Sequence, residues 1–286
     1  MKRNLILGLV CLSVLPLVGC KKASSTSTSA SSSTTIRIGL ECNYQPFNWT
    51  VDKASETTLP IDNAAGTYAD GYDINFAKKL QAAGYDVKIE KLEWDSLIPN
   101  LVGNSIDAII AGMTDTEERE KTIGFSNEYY RSELVFVTKK SVADQYTNHV
   151  LTSSELGALI KNQPLESQIS TVTNEVLDTL ATNYGAIHNT PVDTFAKAAS
   201  DVASGAAFAM SAEYPVAQAI VGSNVELGII RIDQGVLGVD LASLGVSIGV
   251  RKEDTDLKTK LNAVLATYTQ DARNADMTAA VTRSNA

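Results

Sequence analysis

Residues 106–119, IDAIIAGMTDTEER, constrain the fold of this chain more than any other stretch. They open as a largely apolar run, Ile106–Ile110, short enough for a buried parallel strand. Ala111, Gly112, Met113 and Thr114 follow, and the small residues among them let the backbone approach a ligand closely. A helix then begins, with Asp115 or Thr116 available as N-cap and Glu117 and Glu118 in its first turn. A strand that runs into a helix N-terminus leaves free N–H groups at the C-terminal edge of a sheet. Open α/β folds bind ligands there, and an anion such as a carboxylate is favoured. Helical side chains lean toward the N-terminus, so the guanidinium of Arg119 can reach back to the same place and grip a carboxylate with two N–H groups. The alternative is an Arg119 that only pairs with Glu117, Glu118 or Glu120 on a solvated helix face.

The chain start reads as export machinery. Lys2 and Arg3 precede an apolar run from Leu5 to Val18, too short for a spanning helix. The run ends Leu17-Val18-Gly19-Cys20, which resembles a bacterial lipobox with cleavage before Cys20 and lipidation of its sulfur; the alternative is an ordinary signal peptide with an incidental cysteine. Residues 1–19 are thus expected to be removed. Residues 20–35, rich in Ser and Thr, cannot bury a core and read as a lipid anchor and flexible tether. Nothing later is long and apolar enough to span a bilayer, so the expected location is the outer face of a cell membrane, a Gram-positive surface rather than a Gram-negative periplasm.

From Ile36 onward about 250 residues remain, enough for two lobes with separate cores. With Cys11 in the signal and Cys20 the anchor, Cys42 has no partner for an intramolecular disulfide. The net charge of −9 argues against nucleic acid as partner and mildly favours cationic ligands. His149 and His188 have no companions at ligand spacing, so no metal or cofactor is expected.

The order of patterns is α/β. Ile36–Leu40 alternates as a strand and runs into Glu41-Cys42-Asn43-Tyr44-Gln45-Pro46-Phe47-Asn48-Trp49, a carboxylate and three aromatics at a strand end. Residues 50–70 read as an insertion or hairpin. A helix is expected over Tyr72–Ala83, a strand over Asp86–Leu92 and a helix led by Glu93-Trp94-Asp95. With the central strand and helix this makes a parallel sheet with crossover helices. Ser126–Ser132 reads as a hinge, and Glu133–Thr138 resumes as a strand. The second lobe is expected to hold helices near Ser153–Ile160, from Asn174, near Asp193–Ala203 and from Glu213, with strands near Gln168–Val172 and Ala206–Met210. Leu244–Val250 looks like the return strand, with Asp256–Gln270 and a last short helix behind it. The expected division is 36–129 with 243–286 as lobe 1 and 130–242 as lobe 2, and the cleft between two such lobes is the usual place for a small ligand.

These residues resemble the polar amino-acid substrate-binding proteins of ABC importers, family 3, in lipoprotein form. The resemblance covers nearly the whole chain from Ile36. It is carried by Tyr44-Gln45-Pro46-Phe47, Gly71-Tyr72-Asp73, Trp94-Asp95-Ser96-Leu97-Ile98-Pro99, Ile106–Arg119 and Phe125-Ser126-Asn127-Glu128-Tyr129-Tyr130. It implies a type II periplasmic-binding-protein-like fold, two lobes on a two-strand hinge that close on a free amino acid and present it to a permease and its ATPase. A monomer is expected. By the same resemblance Arg119 clamps the α-carboxylate, helped by backbone N–H near Thr114, while the Gly112 carbonyl, the Thr114 hydroxyl and Glu213 take the α-ammonium. Tyr44 and Trp94 sandwich the side chain, Glu41 reaches its tip, and Phe47 and Met113 complete the first lobe's share. With Glu41 at the far end the expected ligand is basic, lysine or arginine; two aromatic faces attract a cation by about 0.5–2 kcal/mol.

One departure stands out. Where the family carries a Gly-Thr step at a helix start, this chain reads Ser170-Thr171-Val172-Thr173-Asn174-Glu175. Either Asn174 and Glu175 occupy the step, with a glutamate facing the ligand's carboxylate, or the register slips so that Thr173 serves. The rival classes are a receptor for another polar amino acid, a small amine or a peptide, a sensory receptor on the same fold, and an enzyme such as a dehydratase or lyase. An enzyme would need a positioned acid–base pair, for which Glu41, Glu175 and Glu213 are the available carboxylates.

Overall fold

The computed structural model describes residues 35–238 and 244–286. The expected signal segment, Cys20 and the tether up to residue 34 lie outside those residues, as does the expected return boundary at 242–243. Among the described residues no helix is long and apolar enough to cross a membrane.

β1 (Thr35–Leu40) starts one residue inside the expected tether and, by strand alternation, sends Ile36, Ile38 and Leu40 into the core. β2 (Asn43–Tyr44), β3 (Asn48–Val51), β4 (Leu59–Pro60) and β5 (Tyr68–Asp70) form a separate antiparallel sheet in the order β2-β3-β5-β4, so of the two readings of 50–70, insertion or hairpin, the structure has a hairpin of β4 and β5. α1 (Tyr72–Ala82) buries Ile74, Ala77 and Leu80 at helical spacing. It begins after Gly71, whose φ of +134° and missing Cβ both matter: a Cβ there would lie 2.2 Å from the Phe47 carbonyl oxygen. That close approach lets the free N–H groups of Tyr72 and Asp73 donate to the carbonyls of Pro46 and Phe47 at 3.0 and 2.9 Å, so the helix start holds the aromatic loop.

β6 (Asp86–Lys91), a 3₁₀ turn at Trp94–Ser96 and α2 (Leu97–Val102) come next. The central strand, β7 (Ala108–Ile109), is shorter than expected, although Asp107 and Ile110 still donate their N–H groups to Arg37 and Gly39 of β1. The Asp107 carboxylate takes Arg37 on one side and Arg251 on the other, which anchors this end of the strand without extending the ladder. α3 (Glu117–Glu120) has four residues; of the two possible caps it uses Thr116, whose hydroxyl accepts the Arg119 N–H. β8 (Gly124–Arg131) absorbs most of the stretch expected as hinge, and the crossing to the next strand narrows to Ser132-Glu133.

The second lobe opens with β9 (Leu134–Lys139), α4 (Lys140–Ala143), β10 (Val150–Leu151) and α5 (Ser153–Ile160), the last started by a capping box between Thr152 and Glu155. β11 (Pro164–Glu166) replaces the strand expected at 168–172. Thr171 caps the next helix through its hydroxyl, so α6 (Val172–Tyr184) starts two residues before Asn174, and Gln168 keeps only an isolated bridge to Val192. β12 (Ile187–His188), α7 (Phe195–Ser204), β13 (Ala209–Glu213), α8 (Tyr214–Ser223) and β14 (Leu227–Ile232) complete the lobe. β13 runs three residues later than expected, because Gly205 ends α7 in a left-handed turn and 206–208 form the approach. β15 (Gly245–Val250), α9 (Thr255–Ala266) and α10 (Gln270–Ser284) return to the first lobe; the last helix is fifteen residues, not short.

The first sheet runs β6-β1-β7-β15-β8, parallel through β6, β1 and β7, with β15 antiparallel to both its neighbours. The second runs β10-β14-β9-β13-β11-β12, with β9 antiparallel between β13 and β14. One core lies between β10, β11 and α5–α6; the other fills the first lobe and continues through Phe195, Met210 and Val216 of the second. Because the Phe47 carbonyl has no room for a side chain at 71, Gly71→Ala should destabilise by about 2–4 kcal/mol through overpacking and strain. Urea unfolding checks it, and a loss under about 0.5 kcal/mol would mean the loop yields freely.

Candidate functional site

The first lobe offers two loops at neighbouring strand ends. After β1 the chain delivers Glu41, turns at Cys42 with φ +54°, and presents Tyr44 and Phe47, all buried. After β7 it turns at Gly112 with φ +60°, where a Cβ would sit 2.9 Å from the Tyr44 ring, and continues through buried Met113 and Thr114. Arg119 reaches back as its helical position requires: Nη1 donates to the Thr114 carbonyl at 2.6 Å. The solvated pairing with its own helix is not formed; Glu118 takes Lys121 instead.

The second lobe meets these loops at four places. Arg119 Nη2 donates to the Ser170 carbonyl at 2.9 Å, and Trp94 Nε1 donates to the same oxygen at 3.2 Å. The Arg119 guanidinium lies 5.4 Å from the centre of the Trp94 ring, within cation–π range. Tyr44 Oη donates to Glu213 Oε2 at 2.5 Å, and the Tyr44 ring stacks on Phe195 at 4.7 Å, with Phe47 on its other side at 5.2 Å. Gln168 Nε2 donates to Glu41 Oε1 at 3.2 Å and to the Asp193 carbonyl at 2.8 Å.

Burial sets the electrostatics. It pushes the Glu41 carboxyl up to about 7, the Gln168 hydrogen bond opposing. It also raises Glu213, against the pull of Tyr44 and Arg119, and lowers Arg119 to about 10 while Glu175, Glu213 and Asp115 hold the cation in place. A cavity of about 310 Å³ opens beside the guanidinium, lined by Trp94, Ile98, Met113, Arg119, Ser170 and Glu175. A larger one, about 660 Å³, lies on the second lobe beside Lys140, Tyr214 and Arg231. Its cations are already paired, Lys140 with Asp144 and Arg231 with Glu133, so it lacks the converging charges of the cleft.

Thr173 falls in the first turn of α6, fully buried, with its hydroxyl 2.8 Å from that of Thr171; Glu175 lies in the same turn two residues on and is exposed. Gln168, Ser170 and Phe195 are cleft residues that pattern reading missed. Only Phe195 carried a signal, an aromatic directly after a Thr N-cap. Elsewhere in this lobe Ser167, His188 and Asp178 line up as in a hydrolase triad, at 3.2 and 2.7 Å. Ser167 is fully buried and its hydroxyl donates to Asn174, so no substrate reaches it.

Two α/β lobes closing on a cleft with an arginine and buried carboxylates define a solute-binding clamp. The family model of bacterial extracellular solute-binding proteins, family 3, matches residues 36–279, and the chain belongs to that family. It is 27% identical to the L-arginine-binding protein of Pseudomonas aeruginosa over 275 residues, 93% of this chain and 90% of that one. To the arginine-binding extracellular protein ArtP of Bacillus subtilis it is 30% identical over 141 residues, spanning about half of each chain. An amino acid ABC transporter substrate-binding protein, AbpA of Streptococcus pneumoniae, solved bound to L-arginine, superposes with a TM-score of 0.71 at 18% identity. That match covers 88% of this chain and 96% of the other and speaks for the fold.

The raised Glu41 carboxyl has a sign that can be measured. Below pH 4.5 the group is protonated folded and unfolded, and its burial costs little. As pH rises toward 7 the unfolded chain ionises first, so folding loses stability, by at most about 3 kcal/mol at pH 8. Glu41→Gln should therefore match the parent at pH 4 and exceed it by about 1–3 kcal/mol at pH 8 in denaturant unfolding without added ligand. An equal difference at both pH values would place the titration elsewhere.

Proposed function

We propose that this chain is a lipid-anchored receptor on the outer face of a cell membrane that captures arginine or lysine between its lobes and delivers it to an ABC permease and its ATPase. The charges of the cleft carry the reading: Arg119 supplies one cation, while Glu41 and Glu213 supply two buried carboxylates from opposite lobes. The complement has one carboxylate and two cations, which is a basic amino acid. An unpaired buried charge costs several kcal/mol, so such a ligand satisfies all three groups where a neutral amino acid leaves one unanswered.

In this reading the ligand carboxylate takes Arg119 with the Thr114 N–H. Its α-ammonium competes with Tyr44 Oη for Glu213 and uses the Gly112 carbonyl and Thr114 hydroxyl. The side chain runs between Tyr44 and Trp94, with Phe47 and Met113 behind, to Glu41. Thr173 lends the first turn of α6. Lobe 1 comprises 36–131 with 243–286 and lobe 2 comprises 132–242, two residues beyond the expected boundary because Tyr130 and Arg131 pair with β15; residues 1–19 are cleaved and Cys20 carries the lipid. The receptor acts as a monomer and does no chemistry. The two arginine-binding relatives support this ligand class.

The test is a thermal-shift panel of the twenty amino acids on the chain from Thr35, refolded from denaturant to strip bound ligand. Arginine or lysine at about a thousand times its Kd should raise Tm on the order of 10 °C. Arg119→Ala should keep its own transition and lose the shift. Equal shifts with neutral amino acids would overturn the basic-ligand reading, and no shift with any amino acid would overturn the amino-acid reading altogether.

A further inference from the structure

Both loops of the first lobe turn on a left-handed residue, Cys42 and Gly112. For Cys42 that conformation is unfavourable in itself and must be held by its surroundings. Each of the two residues has its N–H in the interior, where an unmet donor is costly. The Cys42 N–H donates to Asn48 Oδ1 at 2.7 Å, and the Gly112 N–H donates to Tyr129 Oη at 2.9 Å. Beyond them the two paths converge. Asn48 Nδ2 donates to Asp73 Oδ2 at 2.8 Å, and Tyr129 Oη donates to Asp73 Oδ1 at 2.7 Å. Asn48, Asp73 and Tyr129 are all fully buried.

The direction of these bonds is set by the backbone. Two N–H groups start the paths, Asn48 and Tyr129 each accept and pass on a hydrogen, and the end point must accept on both oxygens. A carboxyl group with both oxygens accepting does so; an amide presents a donor on one side. Asp73 also ties the aromatic loop through its own N–H to the Phe47 carbonyl.

We propose that Asp73 is the positioning residue of the cleft: its buried carboxyl group, acting through Asn48 and Tyr129, fixes the two turns that present Glu41 and Tyr44 on one loop and Met113 and Thr114 on the other. Its consequence for affinity rests on the amino-acid reading above; its consequence for the loops does not. Burial pushes this carboxyl up to about 8, and the hydrogen bonds from Tyr129, Asn48 and the Gly112 N–H, which favour the accepting carboxylate, pull the other way.

Three variants of the full chain test it: Asp73→Asn, Tyr129→Phe, and the exchange Asn48→Asp with Asp73→Asn. The double variant moves the carboxylate one place while keeping every donor opposite an acceptor. Hydrogen exchange of peptides covering 41–48 and 111–116, without ligand, reads the loops; calorimetry with L-arginine reads affinity. Asp73→Asn should speed exchange in both segments and weaken L-arginine by about tenfold or more, since each lost buried hydrogen bond exposes its partner. The double variant should return both readings to within about threefold of the parent, and Tyr129→Phe should loosen 111–116 alone. Unchanged exchange in Asp73→Asn, failure of the double variant to rescue, or equal loosening of both segments by Tyr129→Phe would overturn the proposal. Were Asp73→Asn to fail to fold, Tyr129→Phe still decides through its one-sided effect. A parent chain that binds neither L-arginine nor L-lysine by the same calorimetry refutes the ligand reading while the exchange arm judges Asp73 alone.

Discussion

The guanidinium of Arg119 sits between two lobes, and the cleft depends on how its charge is answered there. In the structure two backbone carbonyls do so, Thr114 from the first lobe and Ser170 from the second, with the Trp94 face alongside. A guanidinium offers five N–H groups in a fixed fork, so these two bonds leave donors over for a ligand. Because one of its acceptors belongs to each lobe, Arg119 is an interlobe contact, and under the proposed reading the same group clamps the ligand. Any motion that separates the lobes must break the Ser170 bond, and any ligand that bridges the guanidinium to the second lobe replaces it.

The opposite charge is arranged differently. Glu213 ends β13 and starts α8, so it sits at a strand-to-helix junction with its carboxylate buried. Tyr44 supplies a hydroxyl and a ring that packs between Phe47 and Phe195. The aromatic stack excludes water, and exclusion of water makes the carboxylate demand a partner. Tyr44 therefore has two effects that oppose each other: its ring desolvates Glu213 and its hydroxyl compensates. An ammonium group would compensate better, being charged, which turns a buried acid into a selective one.

How much of this was legible in the sequence varies with the origin of each contact. Strands and helices with strong alternation or helical spacing, such as β1, α1 and β15, stand close to where the pattern puts them. Arg119 folding back on Thr114 was legible too, because the direction of a helical side chain is local geometry. The short strands β10 and β12, at the two edges of the second sheet, and the strands over 43–70 were not, since strands of two to four residues carry little periodicity of their own; β14, inside the second sheet, was missed as well. Ser170, Gln168 and Phe195 enter the cleft through the packing of one lobe on the other, which no local pattern encodes. The same holds for Asp73: as a sequence feature it is an acidic residue in a first helical turn, and only the fold places Asn48 and Tyr129 on its two oxygens.

The start of α6 shows how one cap decides a site. Reading the helix from Asn174 puts Glu175 against an incoming carboxylate, a repulsive arrangement. The Thr171 hydroxyl instead accepts the Asn174 N–H, and the helix begins at Val172. Val172 and Thr173 then supply the first turn, where N–H groups have no partners within the helix. Glu175 falls at the exposed end of that first turn, lining the cavity, where its charge helps hold Arg119 protonated. A cap two residues earlier thus turns a glutamate that would face an incoming carboxylate into one that supports the Arg119 cation, and under the proposed reading the departure from the family's Gly-Thr step is compatible with the same chemistry.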